Sequence, residues 1–210
     1  QTERENEPPP PVLPEYEALV AQHSDFAGWI TIDGTKIDYP VMLTPNDGDY
    51  YLKRNVNGED DINGTLFMDP RTDLVQRSTN IIIYGHNMKN GSYFAGLNNF
   101  EDAEFFANNR EIYIYTTDRK TTYKIFAASK FSDVYIPDKY GVAFAASINN
   151  FVKDLKEYGA DEDGNNFADD IEIDSDEFTI VLVLSTCVSG QEENRYIVAA
   201  VKDREELYEK

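Results

Sequence analysis

From Trp29 onward, the chain is a series of short apolar runs separated by turn residues. The breaks contain pairs such as Asp33-Gly34 and Asn63-Gly64, which are typical of the ends of strands. Eight strands is the number that closes a small barrel whose interior is filled by side chains. The pattern therefore predicts a mainly β fold with helices, built on an eight-stranded barrel. The predicted strands are Trp29–Ile32, Lys36–Val41, Thr65–Met68, Asn80–Tyr84, Glu111–Thr116, Thr121–Phe131, Phe178–Ser185 and Arg195–Val201.

Three segments have a helical pattern instead. Glu15–Ala27 places apolar residues on one side of a helix, and Gly28 follows it as a C-terminal signal. Ser92–Phe100 is a short candidate. Val142–Tyr158 is longer, and its apolar residues share one face. We therefore predict an N-terminal helix and a long helix before the seventh strand.

The composition indicates a folded chain with a strongly acidic surface. Of 210 residues, 41% are hydrophobic, and 19 basic against 39 acidic residues give a net charge of −20. Such a surface repels nucleic-acid phosphates and anionic lipids, so we expect no nucleic-acid partner and no peripheral docking on a membrane. Residues 1–14 are rich in proline and are predicted to be a flexible spacer, followed by one domain over residues 15–210.

Three residues with reactive or charged side chains lie next to predicted strands. His86 follows Asn80–Tyr84, Cys187 follows Ile180–Leu184, and Arg195 opens the last strand. A thiolate is an effective nucleophile, an imidazole moves protons near neutral pH, and a guanidinium donates hydrogen bonds to an oxyanion. Composition alone favours simpler interpretations. A lone cysteine is more often a small buried side chain, the histidine could cap a strand, and the arginine could be a solvated charge.

The residues around these positions carry the motifs of a known family. The segments concerned are Ile82–Gly91, Leu184–Cys187 with the following Arg195, Asp49–Leu52 and Gly64–Asp69. Together with the long helix before the cysteine strand, they resemble the class B sortases, over roughly residues 28–201. Sortases are membrane-anchored cysteine transpeptidases on the outside of Gram-positive bacteria. Their fold is an eight-stranded β-barrel, which is the strand number that the apolar pattern predicts independently.

The resemblance implies a reaction and a role for each of the three residues. Cys187 would attack a bond in a sorting motif near the C-terminus of a secreted protein and form a thioacyl intermediate. An amine from a peptidoglycan cross-bridge, or from a pilin lysine, would then resolve that intermediate. His86 would act as general acid and then as general base, while Arg195 would hold the substrate carbonyl and the oxyanion. This chemistry requires no cofactor.

The resemblance also implies a substrate groove and a location. Leu52, Ser185, Thr186 and residues 132–136 are expected to line the groove, by analogy only. The catalytic domain is expected on the extracellular face of the plasma membrane of a Gram-positive bacterium. A membrane anchor is expected upstream of the spacer 1–14.

In one respect the chain departs from the class B pattern. Some class B members carry an acidic residue two positions after the cysteine, whereas Ser189 stands there in this chain. A role of that carboxylate in orienting His86 is therefore in doubt. The orienting group could instead come from Asp69 or from the backbone.

The acidic segment 161–172 has the spacing of a calcium-binding loop. Oxygen donors fall at loop positions one, three, five, nine and twelve, which are Asp161, Asp163, Asn165, Asp169 and Glu172. The sixth position is Asn166 rather than glycine, and the sequence shows no clear exiting helix, so a solvated acidic loop is the alternative. A bound calcium ion would make activity calcium-dependent.

Two other functions stay open on the sequence. The chain could be a thiol hydrolase that cleaves a motif and releases the acid without transfer. It could also be a catalytically silent β-barrel that binds surface proteins or polymer, in which case Cys187 would be dispensable.

Overall fold

A computed structural model describes residues 14–74, 78–141, 147–160, 163–171, 173, 179–188 and 190–208. Nine strands within these ranges form a single sheet. Their bounds are β1 Phe26–Ile32, β2 Asp38–Met42, β3 Leu66–Met68, β4 Asn80–Tyr84, β5 Glu111–Tyr115, β6 Arg119–Ser132, β7 Asn166–Phe167, β8 Val181–Val188 and β9 Gln191–Leu207.

Eight of these strands close into a barrel. The order around the barrel is β5-β1-β2-β3-β4-β8-β9-β6, and pairing of β6 with β5 completes the ring. The pairs β2–β3 and β4–β8 are parallel, and the other pairs of the ring are antiparallel. The two-residue strand β7 pairs with β6 outside the ring. The predicted eight-stranded barrel is therefore confirmed.

The helices lie around the barrel. Their bounds are α1 Pro14–Gln22, α2 Ala103–Asn108, α3 Ile136–Tyr140 and α4 Ile148–Tyr158, with 3-10 helices at Tyr50–Lys53 and Phe94–Glu101. α1 ends earlier than predicted because Phe26 already pairs with Met42 as the start of β1. α4 precedes β8, the seventh barrel strand; residues 142–146 of the predicted helix and residues 1–13 of the predicted spacer lie outside the described residues. In the described chain, no helix combines the length and apolarity needed to cross a bilayer.

Alternate residues of β8 face two different cores. Leu182 and Leu184 pack inside the barrel with residues such as Ile83, whereas Val181 and Val183 pack on the outside, beneath α3 and α4. Side chains alternate across a strand, so a strand covered on both faces is buried at every position. This double burial explains why the sequence of β8 is an unbroken apolar run.

Candidate active site

The three predicted residues lie at strand ends that the sheet brings together. β4 and β8 run parallel, with Tyr84 beside Ser185, and two residues further the chains reach His86 and Cys187. β8 and β9 run antiparallel, with Cys187 directly opposite Arg195. Directly opposite residues in an antiparallel pair lie on one face, with Cβ atoms about 4.5–5.5 Å apart. The strand register therefore brings His86, Cys187 and Arg195 to neighbouring positions.

The face in question is the outer face of the barrel. Cys187 lies four residues after Val183, which packs against the helices, so the two-residue period puts both side chains on the outside. Arg195, opposite Cys187, is on the same face. The Cys187 side chain is exposed, so its interpretation as a small buried side chain is wrong. The thiol points to solvent and not into the barrel.

A groove of about 630 Å³ lies over this face, and Cys187, His86 and Arg195 all line it. Residues from the segments 47–52 and 132–136 supply further parts of its lining. Its volume is in the range of about 300–1,000 Å³ that is usual for ligand-binding clefts. The groove is therefore large enough to receive a short peptide segment.

His86 is oriented by a backbone carbonyl group. Its Nε2 atom lies 2.8 Å from the carbonyl oxygen of Leu52, in the 3-10 helix Tyr50–Lys53. A carbonyl oxygen only accepts hydrogen bonds, so Nε2 carries the hydrogen and donates it. In the neutral ring, Nδ1 is then the nitrogen that can take up a proton. Of the two expected sources of the orienting group, Asp69 and the backbone, the backbone is the one observed.

Asp69, the other candidate, is engaged elsewhere. Its side chain is 1% exposed and accepts hydrogen bonds from the hydroxyl of Tyr135 and, at 3.0 Å, from the backbone N–H of Arg71. The guanidinium of Arg71 reaches Asp138 in α3 at 2.9 Å. Burial and the Asp69 carboxylate raise the pKa of Tyr135, so its hydroxyl keeps its hydrogen at neutral pH. The bond from the Tyr135 hydroxyl to the Asp69 carboxylate, named the Asp69 link, connects the end of β3 to the segment 132–136.

The predicted groove residues do lie along the groove. Leu52, Ser185, Thr186 and residues 132–136 are all part of its lining. Thr186 is only 2% exposed, and its hydroxyl donates a hydrogen bond to the carbonyl of Gly85 at 2.7 Å. Its side chain therefore holds two strand ends together. Contact of these residues with a substrate stays a prediction.

Sequence reasoning missed two features of the site. Asp47, Asp49 and Asp133 are exposed along the groove and make its edge acidic. The motif around His86 indicates no role for Asn87, although its side-chain amide donates to the Cys187 carbonyl at 3.0 Å. The acidic edge had no local signal, because these aspartates come from separate loops.

The predicted calcium loop is described only in part. Asp161 and Glu172 lie outside the described residues. The Asn165 amide accepts a hydrogen bond from the N–H of Lys130 at 2.8 Å and donates one to the carbonyl of Gly159 at 2.7 Å, so it joins β6 to the end of α4. Over the described ranges, no group of three or more His, Cys, Asp or Glu side chains is placed to hold a metal ion. Calcium binding stays a prediction.

Comparison with known proteins shows which family the chain belongs to. Residues 30–203 match the sortase domain family. The chain belongs to the sortase family. Sortases are cysteine transpeptidases of the Gram-positive cell surface, so the predicted family and enzyme class are confirmed.

Named relatives of this sortase belong to class B. It is 43% identical to Listeria monocytogenes sortase B over 94 residues, a match that covers 45% of this chain and 38% of that protein. It is 27% identical to Staphylococcus aureus sortase B over 199 residues, covering 90% of this chain and 75% of that protein. The solved structure of Clostridium perfringens sortase B superposes with a TM-score of 0.78 at 27% identity, covering 90% of this chain and 99% of that chain. The predicted resemblance to class B is confirmed.

Proposed function

We propose that this sortase cleaves a sorting motif near the C-terminus of secreted proteins and transfers the acyl part to an amine. The observation that carries the proposal is the strand register, which sets Cys187 opposite Arg195 and brings His86 to the same groove. Acyl transfer to an amine needs a nucleophile, a proton carrier and a donor to the oxyanion. These three residues are of the types that supply them.

In the first half-reaction, the Cys187 thiolate attacks the scissile carbonyl carbon and a C–S bond forms. The negative charge moves to the carbonyl oxygen, where the guanidinium of Arg195 stabilises it. The C–N bond then breaks, and His86 gives its proton to the leaving amine. The product of this half is a thioester on Cys187.

In the second half-reaction, an acceptor amine attacks the thioester and its proton passes to Nδ1 of His86. The C–S bond breaks, a new amide forms and the thiolate is regenerated. One amide bond is broken and one is made, so the cycle consumes no cofactor. The Leu52 carbonyl keeps Nε2 protonated throughout, so that Nδ1 serves both proton transfers.

The acceptor is a primary amine, from a peptidoglycan cross-bridge when proteins are anchored or from a pilin lysine when pili are built. We place the catalytic domain on the extracellular face of the plasma membrane of a Gram-positive bacterium. In this proposal a membrane anchor holds the domain at that surface. Protein anchoring and pilus assembly would both use the same groove and the same three residues.

A peptide-library cleavage assay with added oligoglycine tests the proposal, with mass spectrometry to detect the thioacyl adduct on Cys187. Cys187→Ala should abolish turnover, and His86→Ala should lower kcat by about 10²–10⁴-fold. Arg195→Ala should lower it by about 10²–10³-fold. The matched control is His23→Ala, which changes the chain's other histidine, just after α1, and should behave like the wild type.

The products separate this proposal from its alternatives. A ligated peptide supports transfer, whereas free acid alone in the presence of oligoglycine indicates a hydrolase. Motif binding without cleavage, retained in Cys187→Ala, indicates a binding module. Running the assay with calcium and with a chelator tests the prediction that the segment 161–172 binds calcium. That prediction requires lower activity after chelation.

A further inference from the structure

A side chain continues the ladder between β4 and β8 beyond its last paired residues. Backbone pairing ends at Tyr84 and Ser185, and the N–H of Gly85 still donates to the Ser185 carbonyl at 3.2 Å. In a parallel ladder, the next N–H that the β4 chain would donate to β8 is that of residue 87, and its acceptor is the carbonyl of residue 187. The Asn87 side chain takes this place, because its Nδ2 atom donates to the Cys187 carbonyl at 3.0 Å.

A second amide contacts Asn87. Asn98, in the 3-10 helix Phe94–Glu101, donates from its Nδ2 atom to the Oδ1 atom of Asn87 at 3.2 Å. A carbonyl oxygen only accepts hydrogen bonds, so the Nδ2 atom of Asn87 is the end that is turned toward Cys187, and it also lies 3.5 Å from Oδ1 of Asn98. The two amides therefore form a chain that ends on the backbone of the nucleophile.

We propose that Asn87 is a positioning residue that holds Cys187 beside His86. Asn87 follows His86 directly, so its bond to the Cys187 carbonyl joins the two segments at the level of the two reacting side chains. The register of β8 and β9 is interrupted just after Cys187, where a bulge begins, so the ladder with β9 does not continue regularly past this point. The Asn87 amide fixes the strand end on the side of His86.

Alkylation of Cys187 by iodoacetamide, measured from about pH 5 to pH 9, tests this inference without a sorting motif. Cys187 is the chain's single cysteine, so the rate reports on this thiol alone. His86→Ala defines the change in the pH profile that follows from loss of the imidazole. Asn87→Ala should change the profile in the same direction. Asn99→Ala, which alters the exposed neighbour of Asn98, should leave it as in the wild type.

Turnover gives a second measurement, which rests on the proposed function. Asn87→Ala should lower kcat by about 10- to 100-fold with KM within about twofold, since a displacement of about 1 Å between reacting groups has effects of this size. Asn98→Ala should have a smaller effect in the same direction. Thermal melting is recorded for every variant, and if Asn87→Ala does not fold, Asn98→Ala carries the same two measurements.

Two results would overturn the inference. One is a wild-type alkylation profile in a folded Asn87→Ala protein. The other is a loss of kcat in proportion to the loss of folded protein, which would mean a purely structural role. Failure of the proposed function looks different: the wild-type chain then shows no Cys187-dependent turnover, while the alkylation profiles still decide whether Asn87 positions the thiol.

Discussion

Gly85 allows the backbone just before His86 to pack closely against the core at the end of β4. A Cβ atom at this position would overlap Leu66 and would lie within 2.6 Å of Cδ2 of Phe94. Both neighbours are fully buried in the barrel, where close packing leaves them little room to move. Gly85→Ala should therefore lower the free energy of unfolding by about 1–3 kcal/mol. It should also displace His86 and lower kcat.

Gly91, in the same loop, provides the matched control. It has a φ of +81° and no neighbour within 4 Å of a Cβ atom, so Gly91→Ala costs backbone strain of about 1–2 kcal/mol but does not push on His86. Denaturant titration should show a similar loss in the free energy of unfolding for the two variants. Turnover should differ, because only Gly85→Ala should lower kcat. Wild-type kcat in Gly85→Ala would mean that this close packing does not position His86.

The side chains of the site could be predicted from sequence more readily than the contacts that hold them. His86, Cys187 and Arg195 lie in short motifs whose residue types signal their chemistry. The carbonyl of Leu52 has no such signal, because every residue carries a backbone acceptor and only the fold decides which one meets the imidazole. The bond from Asn87 to Cys187 depends in the same way on the register of two distant strands.

Among the elements, the Asp69 link controls how β3 and the segment 132–136 face each other across the groove. Tyr135→Phe removes the hydroxyl that donates to a buried carboxylate, which should lower the free energy of unfolding by about 1.5–3 kcal/mol. Because the segment 132–136 lines the groove, KM for the peptide should rise more than kcat falls.

The control for this prediction is Tyr113→Phe. Tyr113 donates to Glu111 at 2.6 Å on β5, which is not part of the groove lining. Removing its hydroxyl should leave KM unchanged. A Tyr135→Phe protein with wild-type KM would show that the Asp69 link stabilises the fold without shaping the groove.

Asp118, between β5 and β6, forms a pH-dependent ion pair with Arg119, the first residue of β6. Hydrogen bonds from Arg119, and then from Thr116, lower the pKa of Asp118 from 3.8 to about 2, against the effect of burial. A carboxyl with a lowered pKa stabilises the fold fully above its ordinary pKa, and this contribution disappears as the pH falls toward 2. Asp118 is 48% exposed, so Asp118→Asn should cost only roughly 0.2–1 kcal/mol at neutral pH.

Urea titrations at several pH values check this expectation. The difference between the wild type and Asp118→Asn should be constant above about pH 5 and should shrink below about pH 4. Asp60→Asn is the control, because Asp60 is 97% exposed and lies 3.9 Å from Arg54. A difference that grows as the pH falls would contradict the assigned direction.

Strands with a long apolar run could be predicted from the sequence. Short elements that are held by contacts with residues distant in the sequence could not. The apolar runs of β4 and β8 predicted strands because both faces of these strands are covered, so that consecutive side chains are buried. α3 has only five residues, begins at Ile136 with Pro137 in its first turn, and is held by burial of its side chains against α4 and the barrel. β7 has two residues and exists because Phe167 meets Ala127 of β6. Neither segment is long enough to show a period.

At the scale of the whole molecule, the net charge of −20 and the acidic edge of the groove act in the same direction. Asp47, Asp49 and Asp133 line the groove, and among the described lining residues the permanent cation is Arg195. A field of this sign concentrates cationic molecules at the groove and repels anionic ones. In the proposed reaction, the amine acceptor is protonated in solution and carries positive charge before it reacts.

Two acceptors that differ in one charge test this effect. Triglycinamide and triglycine offer the same attacking amine, but triglycine also carries a carboxylate. At low ionic strength, kcat/KM should be higher for triglycinamide. This advantage should shrink as salt is raised, because the screening length falls from about 30 Å at 0.01 M to about 3 Å at 1 M.

Paired substitutions assign the effect to the groove. Asp49→Asn combined with Asp133→Asn should reduce the advantage of triglycinamide at low salt. Asp203→Asn removes a negative charge from β9 eight residues beyond Arg195, roughly 26 Å along the strand, and should change the advantage less. Equal kcat/KM for the two acceptors at low salt would mean that the charge of this sortase does not select its amine substrate. A salt-sensitive preference lost in the groove variants would show that acceptor choice begins before the amine reaches the thioester.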